Sequence, residues 1–102
     1  MAKRARRKPV QPGYEALAEV LDMALYEAQD GKGKSRHGNT KPFSEQVACT
    51  IVRQEGHGFA RGQALKKIDE AKRLSNRGAI LELLGAINYL AADIIVMKER
   101  GH

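Results

Sequence analysis

Apolar side chains recur with helical spacing in four segments of this 102-residue chain, and no segment alternates apolar and polar residues as a half-buried strand does. Over residues 13–29, Tyr14, Leu17, Ala18, Leu21, Ala24, Leu25 and Ala28 follow the i, i+3, i+4, i+7 rule, which predicts a first amphipathic helix. Residues 30–41 are rich in glycine and basic side chains that a core does not accept, and are expected to form a loop. A shorter helix is predicted over 44–54, with Ser44 as N-cap just after Pro42, Val47 and Ile51 facing inward, and Gly56 and Gly58 marking its end. The third helix is expected from Phe59 or Ala60. It buries Ala64, Leu65, Ile68 and Ala71 and exposes Lys66 with Glu70 and Asp69 with Arg73 as i, i+4 ion pairs. Ser75, Asn76 and Gly78 interrupt the pattern before a fourth helix over 79–99. This helix is apolar around most of its circumference and should be the central helix or a dimer seam. The fold class that follows is all-α: a compact bundle of three to four helices with a long, nearly all-apolar C-terminal helix, in one domain over 13–102 behind a tail at 1–12.

Charge changes this picture by its placement. The net charge is +6, yet Lys3, Arg4, Arg6, Arg7 and Lys8 contribute +5, and Lys32, Lys34, Arg36 and Lys41 contribute +4, which leaves a mildly acidic body. Both basic segments can attract phosphate, of nucleotide or nucleic acid. The tail is expected to be disordered without a partner and to be the contact point for any nucleic acid. Three tyrosines and two phenylalanines are few for a surface that stacks single-stranded bases. The single cysteine, Cys49, sits in a helical pattern and reads as a small buried thiol in a reducing compartment, hence a cytoplasmic protein. The basic start runs into Pro9, Val10, Gln11 and Pro12 and is not a signal peptide, and no stretch is expected to reach the roughly 20 apolar residues of a membrane span.

Three constellations carry candidate chemistry. The first is acidic: Glu15, Glu19 and Asp22 share one stripe of the first helix with Tyr26, and Glu82, Tyr89 and Asp93 share a narrow sector of the fourth. Asp93 interrupts an apolar run, so it must be paired or metal-bound. If the stripes face each other, Glu15, Glu19, Glu82 and Asp93 make a site for Mg²⁺ on nucleotide phosphates; otherwise the glutamates are solvated and Asp93 pairs with a Lys or Arg. The second is the loop of Lys32, Lys34, Arg36 and His37, able to close over polyphosphate or simply solvated. It is not a Walker A motif, because Asn39 stands where the lysine belongs and a helix precedes it. The third is His57 and Arg61 among Gly56, Gly58 and Gly62, where backbone N–H groups at a helix start can approach an anion.

The stretches GKGKSRHG, KPFSEQ, GFARGQALKKIDEA and ELLGAINYLAADII, which together reach Ile95, resemble small bacteriophage and prophage proteins, some described as dATP/dGTP diphosphohydrolase domains, and a phage family associated with nucleotide kinases. More distantly the chain is similar to MazG-type nucleotide pyrophosphohydrolases, whose E-E-x-x-E and E-x-x-D helix motifs hold Mg²⁺. This chain has no E-E-x-x-E, and Gly85 stands three residues after Glu82. The resemblance implies a phage-encoded protein handling (d)NTPs or related nucleotides, with Mg²⁺-dependent pyrophosphohydrolysis as one mode. The alternatives are a non-enzymatic binding protein, sequestering nucleotides or signalling nucleotides or coating nucleic acid, and a host-interaction, anti-defence protein. A homodimer or larger assembly is expected through the fourth helix, with no membrane partner.

Overall fold

A computed structural model describes residues 9–30 and 41–101. Most of the expected tail, and the loop cations Lys32, Lys34 and Arg36 with His37, lie outside the described residues. The described chain is all-helical: α1 (Glu15–Asp30), a short 3₁₀ turn (Phe43–Glu45), α2 (Val47–Glu55), α3 (His57–Ala71) and α4 (Asn76–Glu99).

Helix boundaries follow from local chemistry. Gly13, at φ +95°, turns the chain into α1, and its N–H donates to Glu15 Oε1 at 3.0 Å. Gly56, at φ +100°, is the whole connection between α2 and α3; its N–H closes α2 on the Val52 carbonyl at 2.8 Å, and α3 starts at the next residue. The expected start at Phe59 or Ala60 is therefore late, because one left-handed glycine is enough to redirect the chain. The second helix is also split, since Ser44 lies in the 3₁₀ turn and Gln46 is the α2 N-cap, its side-chain amide donating to the Lys41 carbonyl at 2.8 Å. Ser75 acts as a cap where a break was expected. Its hydroxyl accepts from the Gly78 N–H at 3.3 Å, so α4 begins at Asn76 and runs 24 residues.

The centre is built from small side chains. Cys49, Val52, Ala60, Ala92 and Val96 are fully buried, with Phe43, Ala48, Phe59 and Ile95 packed around them. Burial pushes the Cys49 thiol up, as befits an inert core residue. Alanines at 60, 64, 86 and 92 let α3 and α4 pack closely, and this moves the large side chains expected inside to the flanks. Leu65 is 67% exposed, and Ile68 and Val47 are also exposed, which corrects their expected burial. At the far end Arg53 ties α2 to α4, donating to both carboxylate oxygens of Glu99 at 2.9 and 2.7 Å and to the Ser44 carbonyl, while Arg100 donates to the Arg53 carbonyl. The Lys66–Glu70 and Asp69–Arg73 pairs form as expected, at 3.9 and 3.1 Å.

α1 is less embedded than its periodicity implies. It buries only Ala24, whose carbonyl accepts from Asn88 Nδ2 of α4 at 2.9 Å, and Leu17, Leu21 and Leu25 remain exposed. The radius of gyration, 14.4 Å, exceeds the about 13 Å of an ordinary domain this long. α4 also corrects the expectation that no segment reaches spanning length: by length and composition alone, with mean hydropathy 1.8, it is long and apolar enough to cross a membrane. Both of its mid-helix carboxylates, Glu82 and Asp93, are ion-paired to α3.

Candidate functional site: a cleft between α1, α3 and α4

Helical spacing places Gln63, Lys66, Lys67 and Glu70 on one face of α3, and Glu82, Gly85, Asn88 and Tyr89 on one face of α4. These faces form two walls of a cleft of about 480 Å³, with Glu27 and Ala28 of α1 along one edge and Phe43, Gln46, Val47 and Ala48 closing the end. Cavities of this size hold small ligands. Phe59 and Tyr89 pack edge to face at 6.0 Å and, with Phe43, give the cleft an aromatic side. The Lys67 ammonium lies 3.3 Å from Glu82. Lys67 also lies across Gly85, where an added Cβ would stand 2.9 Å from its Cδ, so the missing side chain at 85 makes room for the lysine. The side-chain amide of Gln63 forms no hydrogen bond among the described residues, which leaves it available to a ligand.

The residues singled out in the sequence divide differently. His57, Arg61 and Asp93 come together: Asp93 is 5% exposed, His57 Nδ1 bonds one carboxylate oxygen, and Arg61 Nε donates to the other at 2.7 Å. Burial pushes the Asp93 carboxyl up, but the hydrogen bonds and charges of Arg61 and His57 outweigh it and hold the carboxyl below its usual range. Of the two readings of Asp93, pairing describes it, with a histidine as second partner. His57 and Arg61 thus hold a carboxylate beside the core and do not line the cleft.

The four carboxylates expected around Mg²⁺ do not converge. Glu82 and Asp93 share a sector of α4 but stand eleven residues, about 16 Å, apart along its axis. Glu82 faces Lys67, Glu15 caps its own helix start, and Glu19 lies with Asp22, Met23 and Tyr26 over Leu81 and Leu84. Among the described residues no three metal-ligating side chains are grouped, so this set does not fit the ion.

Sequence reasoning named Glu82 and Tyr89 but missed the cleft as a unit. Amides and aromatics carry no charge signature, yet the signal was present in the i, i+3, i+4, i+7 row of Gln63, Lys66, Lys67 and Glu70, of which only Lys66 with Glu70 was read, as an exposed ion pair. Three of the four stretches behind the phage resemblance supply most of the walls. Phe43 and Gln46 come from KPFSEQ, Phe59 to Glu70 from GFARGQALKKIDEA, and Glu82 to Tyr89 from ELLGAINYLAADII. No known protein family, curated protein or solved structure matches the chain.

Proposed function

We propose that the chain is a nucleotide-binding protein of the small phage type, which holds a phosphorylated nucleotide in this cleft as a binding protein rather than through a Mg²⁺ centre built on Glu15, Glu19, Glu82 and Asp93. The observation that carries the reading is the convergence of three separate motif stretches on one cleft with aromatic, amide and ammonium groups. Aromatic rings and the amides of Gln46, Gln63 and Asn88 suit a base. Carboxylates suit sugar hydroxyls, and Lys66 and Lys67 suit phosphate. The described lining contains three glutamates against two lysines, so the phosphate end draws on further positive charge. In the sequence Lys32, Lys34 and Arg36 stand between Ala28 and Phe43 of the lining and can supply it.

A thermal-shift panel of nucleoside mono-, di- and triphosphates, with and without Mg²⁺, tests the reading. A ligand at 100 times its dissociation constant adds about 2.7 kcal/mol of stability and should raise the melting temperature by roughly 10 °C in a domain this size. Lys66→Ala should weaken binding about tenfold, at the low end for a charge-assisted contact because Lys66 is exposed. Gln63→Ala should weaken it while leaving the apo melting temperature unchanged. A flat panel overturns the proposal.

A further inference from the structure

The face of α4 turned away from the cleft carries a second pattern. Ile80, Leu83, Ile87, Leu90, Ile94 and Met97 follow one another at intervals of three, four, three, four and three residues, with isoleucine at every a position and leucine or methionine at every d. This is the register of a coiled-coil seam, and the described residues leave most of it uncovered: Ile80, Leu83, Leu90 and Ile94 are 40%, 42%, 44% and 56% exposed, with Ile87 and Met97 half-buried. The row spans about 26 Å without a charge on it.

We infer that this seam is the interface between two copies of the chain, joined helix to helix through α4. An a/d row selects a partner helix of the same 3-4 spacing, because each knob needs a hole formed by four residues of such a helix. α4 itself meets that requirement, and a two-fold axis sets each row on its equivalent. Of the positions that flank the row, 79, 86 and 91 are alanines, Leu84 and Asp93 are turned into the protomer, and Lys98 stands at the C-terminal end of the row. A lipid surface fits the row less well, since interfacial helices carry Lys and Arg along the polar face. Here the opposite arc of α4 holds the ion-paired Glu82 and Asp93 and is packed on by α2 and α3. The cleft lies on that opposite arc, so it stays open in the dimer, and dimerisation stands or falls independently of ligand binding.

Light scattering on the full chain tests the inference. The expected mass is twice 11.3 kDa at micromolar concentration, unchanged by lipid vesicles. Leu83→Glu combined with Leu90→Glu is expected to halve that mass while circular dichroism keeps its helical signal, because both positions are exposed within the protomer, and Leu90→Met is expected to remain dimeric. A monomeric wild-type chain, a double variant that is folded and still dimeric, or transfer of the wild-type chain onto vesicles as a monomer would each overturn the proposal. The wild-type mass decides the question even if the double variant does not fold.

Discussion

Replacing His57 and Arg61 together by alanine should destabilise the fold by about 3 kcal/mol at neutral pH, measured by urea unfolding. The cost arises at neither replaced residue. It arises at Asp93, which stays almost fully buried and loses both partners of its carboxylate. Removing one side of a buried pair commonly costs about 3–5 kcal/mol, and the low end applies because the Arg61 side chain is 55% exposed and partly screened already. Asp93→Leu should cost less, since His57 and Arg61 can turn to water while a side chain of similar volume fills the site. The pH dependence separates the cases. In the parent the Asp93 carboxyl is held low, so its contribution is complete above the unfolded-state value and is lost as pH falls through the depressed folded one. In the double variant only burial remains, the carboxyl rises, and its unfavourable term is relieved as pH falls. Acid should therefore weaken the parent at this site and spare the variant.

Val96→Asp should have a larger effect and leave no cooperative unfolding transition at 25 °C. Val96 is fully buried among Cys49, Val52, Ala60 and Ala92, none of which can answer a carboxylate. An unpaired charge there costs several kcal/mol, and the lost valine packing adds to it, in a small domain whose whole stability lies at the lower end of about 5–15 kcal/mol. Neighbouring positions make the contrast. Asp93, one turn earlier, is tolerated because it meets Arg61 and His57. Ile94→Asp, two residues away, should leave the protomer folded because Ile94 is exposed on the seam.

These contrasts show what the sequence could and could not reveal. Periodicity located α1 and α4 within a few residues, and the anomaly of a carboxylate in an apolar run marked Asp93 as paired or metal-bound, because each signal depends on one segment alone. The identity of its partners was not legible. Arg61 and His57 lie 32 and 36 residues away, and their surroundings of glycine resembled an anion site. Which apolar residues would be buried was misjudged where helices pack through alanine, because close approach leaves larger neighbours such as Leu65 and Ile68 outside. The cleft was hidden for a different reason: on each helix taken singly its amides give no signal and Lys66 with Glu70 reads as an exposed pair, and only the packing of α3 against α4, with the end of α1 alongside, turns these residues toward one another.

The most direct measurement of the central claim is a nucleotide titration followed by NMR of the side-chain amide groups. If the cleft is the site, the NH₂ signals of Gln46, Gln63 and Asn88 move together and saturate with one dissociation constant, and the constant rises in Lys66→Ala. Amide signals that stay fixed through the nucleotide panel, or saturating shifts confined to residues outside the cleft, would contradict it.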